Sequence, residues 1–240
     1  MKTMRKIMML VAAALAMCAM QGCYGDDDTD SIDEINQRLG NDVIQALVTT
    51  KIAEDGTFYL QESEKRLLHP INFNASPYGD KEVRCIVYYT EAGHGATNQT
   101  GMVDVYVKWI DDIYTLSAKA IEEALATPSA RTAAHPIEIE IVYDWVNSLT
   151  DGYLTLHYHT ERNDMSTIYL LTGQNPDDPY EVSLWPIPAL SNSDTRLPSD
   201  GLIAYKIDNL PPTNGEVKIV TLRWYSPSGW KQAQFYYQTK

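Results

Sequence analysis

The stretch that decides the fold is Val103-Asp104-Val105-Tyr106-Val107-Lys108-Trp109, in which apolar and polar side chains alternate. Successive side chains of a β-strand point to opposite faces, so this period of two predicts a half-buried strand. We expect the three valines and Trp109 to share the buried face.

Similar short segments surround this strand in the first half of the chain. Asp55-Gly56 predicts a hairpin turn, and Asp111-Asp112 predicts a turn into a further segment over residues 113–116. Five main strands in so short a region predict a small OB-like barrel, since closure removes exposed strand edges. The other strands are predicted over residues 43–50, 57–60, 67–73 and 83–89.

The period of two is lost between residues 117 and 136. Residues 118–125 form the best helical stretch after the N-terminal segment, and residues 127–134 have no periodicity. We expect a short helix or an irregular crossover, followed by a linker. The domain boundary is therefore predicted near residue 130, between a barrel over residues 42–130 and a second domain over residues 131–240.

The second domain is again rich in short strands. Clusters of turn residues separate them, and Asp151-Gly152 predicts a tight turn. Seven short strands in about 100 residues are typical of an immunoglobulin-like β-sandwich. They are predicted over residues 137–141, 153–160, 167–172, 181–185, 202–207, 217–225 and 233–239.

The first 22 residues have the pattern of a signal peptide. A basic start is followed by an uncharged apolar run over residues 7–20, which is too short to span a membrane. Gln21-Gly22-Cys23 then resembles the bacterial lipobox, in which the cysteine thiol is acylated and becomes the new N-terminus. We expect a lipid anchor with palmitate-type chains on Cys23 in the outer membrane; the alternative is an ordinary signal peptide.

The segment over residues 23–41 is predicted to be an acidic disordered tether. Asp26, Asp27 and Asp28 follow the lipobox cysteine closely and resemble the surface-export signal of lipoproteins in one group of Gram-negative bacteria. A plain periplasmic spacer is the alternative. Asp30-Ser31-Ile32 also resembles an O-glycosylation sequon of the same bacteria, which makes Ser31 a candidate for O-glycosylation.

Composition excludes several classes of function. The formal net charge of −13 argues against nucleic-acid binding, which needs clustered Lys and Arg. Neither a Gly-x-Ser-x-Gly nor a His-Glu-x-x-His motif occurs, so we expect no enzymatic activity and no cofactor. Of three cysteines, Cys18 and Cys23 belong to the signal peptide and lipobox, so Cys85 is expected to be a buried free thiol.

His157-Tyr158-His159 is the one pattern that suggests a metal site. Residues two apart on a strand share a face, so two imidazoles can approach one ion, with Glu161 on the same face. A metal-dependent hydrolase or lyase using His157 and His159 is therefore the alternative function. We favour a solvated strand face without metal, because Leu154, Leu156 and Tyr158 have the parity of the core. Further histidines that lack an assigned place are His69, His94 and His135.

Neighbouring aromatic residues near the C-terminus suggest a binding surface. One member of each adjacent pair on a strand must face away from the core. Trp230, Tyr225 and Tyr237 are the predicted partner-binding aromatics, which would bind an unidentified protein or glycan. Cross-strand packing within the sandwich is the alternative.

These features together resemble the NigD-like family of bacterial lipoproteins. The resemblance rests on the lipobox with its acidic tail, the two β domains, and the segment Asp144-Trp145-Val146-Asn147-Ser148-Leu149-Thr150-Asp151-Gly152-Tyr153-Leu154-Thr155-Leu156. It implies an OB-like barrel followed by an immunoglobulin-like sandwich. The family is named from a bacteriocin-associated operon, and the resemblance transfers no catalytic residue.

Overall fold

The structure, a computed structural model, describes residues 42–120, 138–161, 165–189 and 196–239. The chain divides into two compact units, Met1–Ile113 and Tyr114–Lys240. The predicted signal peptide and tether lie outside the described residues. In the described part of the chain, no helix is long and apolar enough to cross a membrane.

The first unit contains a closed five-stranded barrel, as predicted. Its strands are β1 (Ile44–Ile52), β2 (Phe58–Ser63), β3 (Arg66–Pro70), β4 (Arg84–Glu91) and β5 (Val103–Asp112). They follow the order β1-β2-β3-β5-β4, and the pairing of β1 with β4 closes the barrel. Only β3 and β5 are parallel among these neighbours.

Every second residue of β5 from Val103 to Val107 is buried in the barrel core, and this alternation ends at Val107. All three valines of β5 are buried, whereas Trp109 is exposed and donates its indole N–H to Asp111 at 2.6 Å. A β-bulge shifts the register with β4 between Tyr88 and Tyr89, which reverses the faces beyond it. The prediction that Trp109 shares the face of the valines is therefore wrong. The buried core comprises Ala46, Val48, Phe58, Leu60, Leu68, Cys85, Val87, Tyr89, Val103, Val105 and Val107.

The predicted turn at Asp111-Asp112 is also wrong. Both aspartates belong to β5, and the ladder with β4 continues until Asp112 lies opposite Cys85. Their backbone groups are thus used by the sheet and do not reverse the chain.

The second unit contains two five-stranded sheets, which confirms the predicted sandwich class. One sheet has the order β6-β13-β10-β8, with β9 also paired to β10; the other has the order β15-β14-β12-β11-β7. The strands are β6 (Thr115–Ser117), β7 (Lys119–Ala120), β8 (Glu140–Ile141), β9 (Ser148–Thr150), β10 (Tyr153–His159), β11 (Met165–Thr172), β12 (Glu181–Pro188), β13 (Asp200–Lys206), β14 (Lys218–Ser226) and β15 (Gly229–Tyr237).

The two compact units divide at residue 113, and the predicted boundary near residue 130 lies outside the described residues. β6 pairs in parallel with β13, and β7 pairs in parallel with β11, so the chain joins both sheets of the sandwich directly after Ile113. The helix predicted over residues 118–125 begins instead as strand β7, because Lys119 and Ala120 add to a sheet edge. Residues 121–137 lie outside the described residues.

The sandwich core follows the predicted parity of β10. Leu154, Leu156 and Tyr158 are buried in it, together with residues from both sheets. Asp151 and Gly152 both have positive φ and join β9 to β10 as a two-residue turn, as predicted. The largest buried apolar side chains of the other strands include Met165, Ile168, Leu170, Leu184, Ile203, Tyr205, Leu222 and Trp224.

Candidate functional site

His157 is the buried centre of a partly exposed ionic cluster in the sandwich. Its Nδ1 is 2.6 Å from Oδ2 of Asp144, and its Nε2 is 3.0 Å from Oδ1 of Asp200. Asp200 also contacts His159, whose Nδ1 lies 3.2 Å from Oδ2. We call these four residues the His157 cluster.

The prediction that His157 faces solvent is wrong, since only 4% of the residue is exposed. The segment before β9 covers this face of β10 and brings Asp144 to the ring. Asn147 holds the segment in place, accepting a hydrogen bond from the backbone N–H of His157 at 2.9 Å and donating to the carbonyl of Val142 at 2.5 Å. His159, the last residue of β10, is exposed as predicted.

The two carboxylates stabilise the charged form of His157. Burial alone would lower the pKa of the ring, but the hydrogen bonds that the ring donates to the carboxylates of Asp144 and Asp200 outweigh it and raise the pKa to about 9. For Asp200, burial opposes ionisation, while its bonds to the two histidines lower its pKa below the ordinary value. At neutral pH both ring nitrogens of His157 therefore carry protons, and neither has a lone pair to offer a metal.

The other proposed ligands do not join this cluster. His69 contacts Asp104 at 2.9 Å in the barrel unit, and Glu161 is exposed. The side chain of His94 and the whole of His135 lie outside what the structure describes. Within the described residues, no group of three or more His, Cys, Asp or Glu residues is arranged to hold a metal ion.

Aromatic side chains instead gather on the outer face of β14 and β15. Opposite residues of an antiparallel pair share a face, and the buried Val220, Leu222 and Trp224 define the inner one. The β14–β15 outer face therefore consists of Ile219, Thr221, Arg223, Tyr225, Trp230, Gln232, Gln234 and Tyr236.

Trp230 lies at the hairpin end of this face and is held from two sides. Half of the residue, 51%, is exposed. The ring of Tyr225 meets it edge-on at a centroid distance of 5.6 Å, and the guanidinium carbon of Arg223 lies 5.4 Å from its ring centroid. Arg223 is itself 3.4 Å from a carboxylate oxygen of Glu181. These contacts hold a half-exposed indole in one orientation.

The prediction that Tyr237 lies on the surface is wrong, because its neighbour Tyr236 is the exposed residue of the pair. Tyr237 is 7% exposed and belongs to the core, where its ring lies 6.3 Å from that of Tyr180. Its neighbour Tyr236 is 77% exposed and takes the predicted place on the surface. Two further exposed aromatic residues, Tyr143 and Trp145, flank Asp144. Neither was predicted to lie on the surface. The signal that could have indicated it is the absence of a clear strand periodicity in this segment.

Cys85 is a buried free thiol in the barrel core, as predicted. Burial raises the pKa of its thiol to about 12, so it is protonated and unreactive at neutral pH. The predicted modification and export residues, Cys23, Asp26, Asp27, Asp28 and Ser31, lie outside the described residues.

Comparisons with known proteins agree on the family. The model of the NigD-like N-terminal OB domain matches residues 47–113, and that of the NigD-like C-terminal beta sandwich domain matches residues 131–237. Comparison with curated proteins gives no match.

Solved structures share the fold at low identity. A protein of unknown function from Bacteroides vulgatus matches with a TM-score of 0.60 and 13% identity, over 82% of this chain and 92% of that chain. A NigD-like immunity protein from Bacteroides caccae matches with a TM-score of 0.53 and 14% identity, over 82% and 98%. Since the two family models together span most of the sequence, the chain belongs to the NigD-like family.

Proposed function

We propose that this protein is a non-enzymatic lipoprotein that binds a protein or glycan partner through the β14–β15 outer face. The observation that carries the proposal is the half-exposed Trp230, which Tyr225 and Arg223 hold in one orientation. An exposed indole is costly to leave in water and contributes strongly when a partner covers it. The histidine pair offers no comparable site, because carboxylates occupy both nitrogens of His157.

The anchor part of the proposal rests on the lipobox. Acylation of Cys23 would attach more than one chain, and two chains hold a protein on a membrane far more firmly than one. The acidic tether would then separate the folded units from the membrane on the outer surface of the outer membrane.

Two substitutions test anchoring and display separately. Cys23→Ala should abolish palmitate labelling and release the protein from membranes. Replacing Asp26, Asp27 and Asp28 with Ala should keep the label but protect the protein from protease added to intact cells. Membrane retention of the Cys23→Ala protein would refute the anchor, and continued protease access in the triple variant would refute the export signal.

Binding is tested with two defined probes, a glycan array and detergent-solubilised outer-membrane proteins. The full chain is compared with Trp230→Ala and with Tyr143→Ala, which removes an exposed aromatic outside this face. We expect a ligand retained by the chain and by Tyr143→Ala but weakened about tenfold by Trp230→Ala. Absence of binding to both probes, or equal binding by all three proteins, would contradict the proposal.

A further inference from the structure

The edges of the two sandwich sheets differ greatly in length. The edge strands β6, β7, β8 and β9 contain two or three residues each, whereas the edge strand β15 contains nine. Natural proteins shorten or otherwise protect their edges, because an unpaired edge offers backbone groups to another strand. Among the described terminal strands of the two sandwich sheets, β15 is the one with more than three residues.

β15 also lacks the other usual protections. Its sequence, GWKQAQFYY, contains no proline and a single charge, Lys231. Its register with β14 continues from Gly229 to Tyr237 without a bulge. A long, regular and nearly uncharged edge is the form that accepts an additional strand.

The free backbone groups of β15 belong to Trp230, Gln232, Gln234 and Tyr236. The hairpin closes with Ser226 opposite Gly229, so residue pairs alternate from there between hydrogen-bonded and non-hydrogen-bonded types. Trp230 and Tyr225 form a non-hydrogen-bonded pair, since the carbonyl of Tyr225 points away and accepts the N–H of Ile139 at 3.0 Å. The N–H and C=O groups of Trp230 and every second residue after it therefore point to the free edge.

In the described part of the chain, no strand pairs with these backbone groups. All four residues are exposed, and none of their outer backbone groups has a described backbone partner. The nearest strand of the opposite sheet, β9, pairs with β10 and not with β15.

The order of side chains along this edge is nearly palindromic. Residues 230–236 have the sequence Trp-Lys-Gln-Ala-Gln-Phe-Tyr. A glutamine lies directly before and directly after Ala233, and an aromatic residue lies three positions before and three positions after it. Two antiparallel copies centred on Ala233 would place Trp230 opposite Tyr236, and Gln232 opposite Gln234. The exposed backbone groups of both copies then face each other, and each such pair exchanges two hydrogen bonds.

Charge also favours a second copy at this edge. The whole chain carries −13, so most approaches of two copies are repulsive, but β15 contains no acidic residue. In the centred register Lys231 lies opposite Phe235 of the second copy, so no like charges face each other. We propose that β15 pairs antiparallel with β15 of a second copy of this chain, centred on Ala233, and joins two sheets into one. This inference does not depend on the proposed partner binding.

Engineered cysteines test the register in the full lipoprotein in intact cells. Ala233→Cys would place two thiols in a non-hydrogen-bonded pair with Cα atoms about 4.5 Å apart, within disulfide range. Lys231→Cys, on the same strand and face, would place them about 13 Å apart along the strand. After mild oxidation we expect about tenfold more disulfide-linked dimer from Ala233→Cys than from Lys231→Cys, because only the former meets the geometry. The unsubstituted chain gives the background from its own cysteines.

A second pair of variants tests the backbone pairing. Gln234→Pro, added to Ala233→Cys, removes an N–H that points to the free edge and not to β14, so the fold should tolerate it. It should abolish the crosslink, whereas Gln234→Ala should preserve it, and circular dichroism reports the fold of both. Equal crosslinking of Ala233→Cys and Lys231→Cys, no crosslink from either, or a crosslink that survives proline in a folded chain would each overturn the proposal.

Discussion

Two regions of the sandwich, the His157 cluster and the β14–β15 outer face, differ in the side chains that they bury. The cluster buries a polar ring, whereas the outer face leaves a large apolar ring exposed. The His157 cluster buries a charged ring, and two carboxylates satisfy both of its nitrogens. The outer face leaves a large indole half-exposed although neighbouring side chains hold it in position. The comparison teaches that a residue pattern suggestive of metal binding can form a buried ionic contact, while an ordinary strand can leave a large aromatic ring half-exposed.

The largest expected effect comes from breaking the His157 cluster. His157→Ala leaves Asp144 and Asp200 without their shared cation, and removing one member of a buried ion pair costs about 3–5 kcal/mol of unfolding free energy. Chemical denaturation measures this loss. His159→Ala is the matched control: nearly half of its side chain is exposed, so we expect a loss of less than about 1 kcal/mol. Equal effects of the two substitutions would show that His157 is not the centre of the cluster.

The inner and outer aromatic residues of β15 provide the next comparison. Tyr237→Ala removes a core ring and should lower the unfolding free energy by about 3 kcal/mol. Tyr236→Ala removes an exposed ring and should change it by less than about 0.5 kcal/mol. Thermal unfolding of both variants checks the assignment, which fails if Tyr236→Ala is the more harmful.

The pH dependence of stability sharpens the account of His157. A folded pKa of about 9 lies above the unfolded value near 6.5, so the stabilisation is complete below pH 6.5 and is lost as pH rises through 9. This difference corresponds to about 3 kcal/mol. Asp200 acts in the opposite sense: its lowered pKa contributes stability above its unfolded pKa, which is lost as pH falls. Denaturation curves between pH 6 and pH 9 should show the decline in the unsubstituted chain and not in His157→Gln.

The smallest expected effect on folding concerns Trp230. Trp230→Ala removes contacts with Tyr225 and Arg223 at the surface, so the unfolding free energy should fall by less than about 1 kcal/mol. The same substitution should weaken partner binding about tenfold. A variant that unfolds as readily as His157→Ala would make Trp230 structural and remove the contrast between the two regions.

Sequence patterns predicted both folds because alternation along a strand reports directly on burial. They placed the valines of β5 and the leucines of β10 correctly, but failed at Trp109, where one bulge reverses the faces. The same one-residue ambiguity exchanged Tyr236 and Tyr237. Alternation also cannot reveal what covers a strand: His157 is enclosed by residues 13 and 43 positions away in the sequence.

The pairing of residues 115–120 with the sandwich sheets was not predicted, for a related reason. β6 and β7 are too short to show periodicity, and their place in the sandwich depends on pairing with β13 and β11, which lie far along the chain. The sequence of residues 114–120 alone cannot indicate pairing with strands so far along the chain.

The central claim is that the histidine pair is structural and that the β14–β15 outer face is the functional region. The most direct test of the first part is a nitrogen NMR titration of the His157 ring in the purified protein, with and without zinc. We predict that both ring nitrogens are protonated at pH 7, that the ring titrates near pH 9, and that zinc leaves it unchanged. A neutral ring at pH 7, with a nitrogen whose signal shifts when zinc is added, would contradict the account.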